Sequence, residues 1–472
     1  MVVSKLSKTL LNIISIMILS RYLGLEQYGF YRQFLVSNQL LSSILSLGIP
    51  ASTMYFLSSS ERKKYLPNVY IVLFSISILS FLFSPIFVRL FDINFKINFF
   101  TKNWLILGFI YSVSIFVTAS ENMLIALKKV KYMPVYILIP NLFWLSGILY
   151  SSFFKKDLFF ILIIFFVRFL LYFLITIIFV AERFEFSQIT KKRIKAVLLF
   201  GLPVGVSAII GKFSSNIDKL VIGNFYDSQT FAVFSNGAYE IPFLAIIGGS
   251  LFNVLIPSLK KEFENKSKER VLKLWKKAGL SMISIIVPIA ATFVVFAKPS
   301  VLFLFSEKYI EAVPYFRLYQ IRLFFRIFLY GSFFIAAGKS KLYMYNAAIS
   351  MIMNLILDIV LVSLIGPIGA VLATLLSVLI LVLLQLTQIS RILSVSIKEV
   401  YPWKKWSISI VIALFISTIL YLLSSLISSN IILWLFFMGI SFIINFFVLS
   451  KFIDSQILDY LLSFIKRGHD RQ

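Results

Sequence analysis

Several ionisable side chains of this sequence fall inside long apolar runs, where a charge costs a few kcal/mol or more. The basic ones are Arg32, Arg168, Lys212, Lys219, Arg317, Arg322 and Arg326, and the acids are Glu121, Asp218, Glu240 and Asp358. Groups so placed face a cavity, a partner or an interface. Arg322 and Arg326 are four residues apart and so share a helix face, while Arg168 stands near the middle of another run. A guanidinium fork matches phosphate oxygens bidentately, so these three arginines suit an anionic ligand. The alternative is internal pairing with the acids, but the basic excess leaves cations over. Lys212, Ser215, Asn216 and Lys219 form one narrow stripe at about 100° per residue. Such a stripe either lines an aqueous cavity or packs on polar groups of a neighbouring helix; lysines make poor glue, which favours lining. Arg317 points elsewhere and is expected to snorkel to headgroups. Asp218 and Glu240 can orient nearby cations, and Asp358, one turn past Asn354, is expected near the outer surface. A coupling ion would need such a carboxylate close to unwound backbone carbonyls.

Other chemistries are excluded by composition. There is no cysteine, which removes disulfides, zinc–thiolate sites and thiol nucleophiles. The only histidine, His469, sits in the polar C-terminal tail. No metal or cofactor is expected. The net charge of +26 would suggest nucleic acid in a soluble protein. Here the cations are scattered between apolar runs, which fits topology signals and anionic membrane lipids instead.

The elements that must hold these groups are membrane helices. The chain is 60% hydrophobic, too much apolar surface for a soluble interior to hide. Runs of about twenty residues, the length that crosses a bilayer, are expected at 4–20, 31–57, 68–90, 104–127, 133–153, 158–181, 197–223, 229–257, 279–304, 315–337, 342–363, 367–390, 406–426 and 431–450. That predicts an all-α polytopic protein of fourteen spans, the first of them an uncleaved span rather than a signal peptide. With the N-terminus in the cytoplasm, the cytoplasmic connections hold roughly 31 lysines and arginines and the outer ones about 8, the asymmetry of the positive-inside rule. Both termini are then cytoplasmic. The stretch Lys260–Lys277 reads as an amphipathic or solvated linker, with anionic headgroups as a secondary contact.

The chain also repeats itself. Ile125-Ala126-Leu127-Lys128-Lys129-Val130-Lys131 is similar to Ile335-Ala336-Ala337-Gly338-Lys339-Ser340-Lys341, and the run Leu23–Tyr31 to Ile222–Phe234. Both offsets approach 200 residues, or six helices, which predicts two halves of the same orientation. The expected domains are an N-terminal lobe at 1–195, a C-terminal lobe at 196–391, and two extra helices with a cytoplasmic tail at 392–472.

The run Arg21-Tyr22-Leu23-Gly24-Leu25-Glu26-Gln27-Tyr28-Gly29 resembles the first-loop signature of the polysaccharide flippases. These are the O-antigen and capsule-type, Wzx-like branch of the multidrug/oligosaccharidyl-lipid/polysaccharide exporter superfamily. Ser46-Leu47-Gly48-Ile49-Pro50 is similar to their small-residue turn. Gly201-Leu202-Pro203 with Ile217-Asp218-Lys219-Leu220-Val221-Ile222-Gly223 resembles the opening of their second half. Ser306-Glu307-Lys308-Tyr309 to Ala312-Val313-Pro314 resembles their approach to the tenth span. The matches run in order over roughly residues 5–390. One departure is Leu25, where the family often has proline.

The resemblance implies two six-helix lobes around a central cavity, rocking between inward-open and outward-open states in a bacterial inner membrane. The substrate would be a polyprenyl-diphosphate-linked oligosaccharide, and assembly proteins of the same polysaccharide would be further partners. On that reading Arg168, Arg322 and Arg326 engage the diphosphate, and Lys212 and Lys219 line the lumen. Ser215, Asn216 and Asn236 hydrogen-bond sugar hydroxyls. Glu121, Asp218, Glu240 and Asp358 balance charge or couple an ion. Two rivals compete. A cation-coupled multidrug exporter would favour a carboxylate-rich cavity and twelve helices. A membrane-embedded glycan polymerase or ligase would carry catalytic residues on a large external loop, and the external connections here are short.

Overall fold

The computed structural model describes residues 2–154, 157–180, 186–428 and 430–453, and every regular element among them is helical. Lys155, Lys156, Arg183, Lys466, Arg467, His469 and Arg471 lie outside the described residues. Contacts divide the chain into two compact units, Met1–Ser235 and Asn236–Gln472.

The first unit runs through α1 (Val2–Tyr22), α2 (Leu25–Leu45), α3 (Ile49–Leu57), α4 (Arg62–Leu82), α5 (Ser84–Phe95), α6 (Phe99–Lys102), α7 (Trp104–Ala126), α8 (Met133–Phe154), α9 (Leu158–Val180), α10 (Lys191–Ser214) and α11 (Ile217–Phe225) into α12 (Ser228–Gly237). Its core gathers Ile49, Leu73, Ile115, Phe116, Met123, Ile137 and Val197. The start of α10 is tied to α4 through Asn68, which donates to the carbonyls of Lys64 (2.7 Å) and Gln188 (3.0 Å) and accepts from the Thr190 amide. Thr190 in turn caps α10 by accepting the Arg193 amide. That helix therefore packs with the first six spans, on α2, α3 and α4.

The second unit continues with α13 (Pro242–Glu264), α14 (Lys268–Val295), α15 (Ala297–Phe305), α16 (Ala312–Ile321), α17 (Tyr330–Ala336), α18 (Ser340–Ile365), α19 (Pro367–Leu393), α20 (Ile397–Val400), α21 (Trp403–Ile427) and α22 (Ile431–Ile453). Its core is built on Trp275, Ile283, Val287, Phe328, Phe333, Leu386 and Ala413. The basic stretch Lys260–Lys277 is the end of α13, a three-residue turn and the first turns of α14.

Among the described residues, ten helices are long and apolar enough to cross a membrane: α4, α7, α8 with its preceding turn, α9, α10, α14, α18, α19, α21 and α22. The pair α2 and α3 passes the same test as one span bent by 52°. Much of their apolar surface is left outside the protein core, as lipid-facing helices require. The chain is an all-α, multi-pass membrane protein. The expected fourteen continuous spans are not all present among the described residues, because several break. The eighth divides between α12 and α13, at 238–241. The tenth divides into α16, a 3-10 turn at Arg322–Phe324 and α17, with irregular backbone between Phe325 and Leu329.

The repeat is visible in local backbone geometry. At the end of α7, Lys128 adopts φ +59°, with the Lys128 amide bonded to the Ile125 carbonyl and the Lys129 amide to Leu124. At the end of α17, Gly338 adopts φ +69°, with Gly338 bonded to Ile335 and Lys339 to Phe334. These are the same left-handed C-cap, at the positions the sequence pairs.

The tenth-span break leaves carbonyls without helical partners, which is tolerable in a membrane protein only when protein groups supply them. The Trp406 indole N–H donates to the Phe324 carbonyl at 2.7 Å. Phe325 packs on Trp406, and Phe328 on Trp275 and Tyr401. Trp406→Phe keeps the ring and removes the donor. It should cost about 1–3 kcal/mol, the penalty for a buried acceptor left unpaired, read as a lower melting temperature of the purified protein. An unchanged melting temperature would mean the carbonyl has another donor.

Candidate functional site

A cavity of about 590 Å³ lies within the first unit. Its walls carry polar residues at helical spacing, interleaved with apolar ones. From α1 come Lys8, Asn12 and Ser15; from α2, Tyr31, Asn38, Gln39, Ser42 and Ser46; from α7, Ser114, Thr118 and Glu121; from α9, Phe165, Arg168 and Tyr172. Helix α8 adds Tyr136 and Trp144, and α10 adds Lys212. Among the described residues the charged lining is three cations, Lys8, Arg168 and Lys212, against one carboxylate, Glu121.

Arg168 is the centre of this arrangement. It is only 8% exposed, and its Nη2 donates to Asn141 Oδ1 at 2.6 Å and Asn12 Oδ1 at 3.0 Å. The Asn141 amide cannot turn round. Its Nδ2 is occupied by the Ile137 carbonyl and the Tyr172 hydroxyl, so Oδ1 must face the guanidinium. The guanidinium carbon also stands 5.3 Å from the centre of the Trp144 ring and 6.0 Å from that of Phe165, within cation–π range. Every one of these partners is neutral. The buried Nε has no hydrogen-bond partner. A guanidinium held by amides and rings alone keeps its full charge available to a ligand.

The remaining polar lining is hydroxyl and amide, set among the apolar side chains of Ile16, Leu35, Val117 and Phe169. Ser42 and Ser114 hydrogen-bond to each other at 2.8 Å across α2 and α7. Glu121 approaches Lys8 at 4.0 Å, both side chains partly exposed.

The other expected site residues are distributed differently from their helical projection. The seventh span is not one helix: α10 ends at Ser214 and α11 begins at Ile217, with Asn216 at φ −130° between them. The stripe is therefore interrupted. Lys212 reaches the cavity, but Ser215 donates back to the Lys212 carbonyl, and so does Asn216, which also touches Ser215. Both side chains thus cap the end of α10. Lys219 is half-buried, and its amide bonds to the buried carboxylate of Asp218 at 2.8 Å. Asn236 is fully buried.

Between Arg322 and Arg326 the helix tightens into a 3-10 turn, and the Arg326 amide still bonds to the Arg322 carbonyl at 3.2 Å. Arg322, in the 3-10 turn, is buried and donates to Glu240 Oε1 at 2.7 Å, with its guanidinium 3.7 Å from the centre of the Tyr319 ring. This is the internal pair that the sequence left open. Arg326 lies in the irregular segment and is exposed. Asp358 on α18 is fully buried in the protein. Sequence reasoning missed Lys8, Asn12 and Asn141. The asparagines carried a usable signal, as amides inside lipid-length apolar runs; Lys8 read as a topology signal.

The family profile described as "polysaccharide biosynthesis protein" matches residues 1–261. The capsular polysaccharide biosynthesis protein CapF of Staphylococcus aureus is 25% identical over 85 residues, 18% of this chain and 22% of that protein. The match thus spans about a fifth of the length of that curated relative. Among solved structures, the lipid II flippase MurJ in an inward closed conformation superposes with a TM-score of 0.74 at 18% identity, over 96% of this chain and 99% of that one. An inward-facing multidrug resistance MATE family transporter of the MOP superfamily superposes with a TM-score of 0.64 at 14% identity, over 82% and 96%. At these identities the likeness is one of fold.

Proposed function

We propose a function from an established premise: the chain belongs to the polysaccharide biosynthesis protein family. It is a transporter rather than an enzyme. It flips a polyprenyl-diphosphate-linked oligosaccharide from the inner to the outer leaflet of a bacterial plasma membrane, with both termini in the cytoplasm. The observation that carries this reading is Arg168, a buried cation with only neutral partners on the wall of a cavity of mixed polar and apolar lining.

A diphosphate and its sugars cannot cross hydrocarbon unaided, whereas a polyprenyl tail can remain in it. The cavity offers the headgroup a route. Arg168 and Lys212 hold the diphosphate, while the amides and hydroxyls of Asn38, Gln39, Ser42, Ser43 and Ser46 face the sugars. In the second unit Arg322 is committed to Glu240, and exposed Arg326 offers a guanidinium for a phosphate contact. Two repeated lobes alternate access to the two sides. An inside-negative potential assists the outward passage of an anion by about 2.3 kcal/mol per charge per 100 mV. Anionic lipids and polysaccharide assembly proteins are the remaining partners. The drug-exporter alternative has the MATE-like fold in its favour, but a cationic drug would meet a predominantly cationic cavity.

In proteoliposomes, the protein should flip a fluorescent polyprenyl-diphosphate oligosaccharide, accelerated by an inside-negative potential. Absence of flipping across several glycans, with drug efflux in the same vesicles, would replace this function by the alternative.

A further inference from the structure

We infer that Glu121 is a placeholder anion: it occupies Lys8 while the cavity is empty and yields it to the ligand's second phosphate. Lys8, which the sequence assigns to topology, is then an anion-binding residue of the same site. The ligand class rests on the flippase reading.

Three observations carry this. Lys8 and Asn12 are one turn apart on α1, a rise of about 6 Å, and Asn12 touches Arg168. Both cations thus border one cavity wall, spaced along its axis. A diphosphate held at Arg168 by one phosphate reaches Lys8 with the other. Second, the Lys8–Glu121 contact is at the outer limit of an ion pair, 4.0 Å, with the side chains 39% and 25% exposed. Pairs of that kind are weak. The Arg322–Glu240 pair, at 2.7 Å with the arginine 8% exposed, is held far more closely. Third, Glu121 is the one carboxylate among the described residues of the cavity lining, so it is placed to offset these cations from within.

The chemistry is a competition. In the empty cavity Glu121 screens Lys8 and lowers the cost of holding several cations inside an apolar bundle. A ligand with two phosphates outbids a carboxylate at that distance, and Glu121 swings away from the ammonium. At release Glu121 returns to Lys8 and speeds departure. Glu121 is therefore a positioning residue, acting on the ligand through Lys8.

The test uses full-length protein in nanodiscs of neutral lipid, titrated with radiolabelled inorganic diphosphate. Glu121→Gln should tighten binding about tenfold, as expected when the competent fraction of the site rises from a tenth to nearly all. Lys8→Gln should weaken it by a similar factor. In the Lys8→Gln background the gain from Glu121→Gln should shrink to less than about twofold, the non-additivity of groups in contact. Glu121→Asp, which keeps the charge with a shorter reach, should give an intermediate gain and guards against misfolding of the amide variant. In flipping assays Glu121→Gln should lower KM and kcat together. An equal gain in both backgrounds would overturn the inference, since Glu121 would then act only as a distant charge. So would unchanged affinity in Glu121→Gln and Lys8→Gln. Diphosphate binding that behaves as expected without flipping of any glycan would sink the flippase reading and leave the switch standing. Robust flipping indifferent to both residues would do the reverse.

Discussion

Arg168→Gln should reduce flipping by about a hundredfold or more while the protein still inserts and folds. The guanidinium supplies charge-assisted hydrogen bonds to a phosphate, each worth roughly 1.5–3 kcal/mol. Losing two of them amounts to about two to four powers of ten at about 1.4 kcal/mol each. Stability should change much less. Arg168 is buried against neutral groups only, so removing it also removes a charge the apolar bundle holds at a cost. The glutamine amide can still donate toward Asn141. The melting temperature should therefore fall by no more than a few degrees, the pattern of a residue retained for function at the expense of stability. Arg168→Lys should stay about tenfold down, because an ammonium lacks the planar fork needed to hold two asparagines and a phosphate together. Initial rates in proteoliposomes, set beside size-exclusion and melting profiles, check all of this. Flipping within twofold of wild type in Arg168→Gln would remove the residue from the site.

Arg168 was legible in the sequence because a lone cation in a long apolar run has few bland explanations. Its partners were not, because they depend on which helices are neighbours. Asn12 lies on α1 and Asn141 on α8, and helical spacing says nothing about pairing between them. The membrane helices themselves could be read well, since their length and apolarity are imposed by the bilayer. The breaks divide into two kinds. The eighth span breaks beside Gly237 and Pro242, residues that interrupt helices. The seventh and tenth break at Ser215–Asn216 and Phe325–Leu329, where neither residue type is present. There the unwinding is stabilised by side chains: Ser215 and Asn216 cap α10, and the Trp406 indole donates to the Phe324 carbonyl. A projection that assumed continuous helices therefore put Lys212 with Lys219 on a face that the break at Ser215–Asn216 interrupts. Lys8 shows the opposite error. A sound topology argument accounted for its charge so completely that its place on the same α1 face as Asn12 went unread.

Gly48→Ala should be among the most damaging single-methyl substitutions in the first unit. Gly48 closes the 52° bend between α2 and α3 at φ +73°, next to Leu47 at φ +46°. A Cβ there would stand 2.0 Å from the Gly201 carbonyl oxygen and 2.6 Å from the Gly205 nitrogen. These are backbone atoms of α10, so no rotamer change can make room. The approach is mutual: a Cβ on Gly205 would meet the Gly48 nitrogen at 2.7 Å, and one on Gly201 the Leu47 carbonyl oxygen at 2.9 Å. Small residues let membrane helices come this close, and the Ser52 hydroxyl, donating to the Val197 carbonyl at 2.7 Å, fastens the contact one turn on. Left-handed strain of about 1 kcal/mol adds to overpacking of roughly 1–3 kcal/mol, for an expected loss of about 2–4 kcal/mol. Gly24→Ala is the control, since Gly24 has φ −63° and open space where a Cβ would go; it should change stability by less than about 0.5 kcal/mol. Melting the two purified variants side by side decides the matter, and equal melting temperatures would mean that the bend does not rest on α10. Transport should fall in Gly48→Ala as well. Lys212 follows Gly205 on the same helix by about two turns, so whatever pushes α10 off the bend also withdraws a cation from the cavity that holds Arg168.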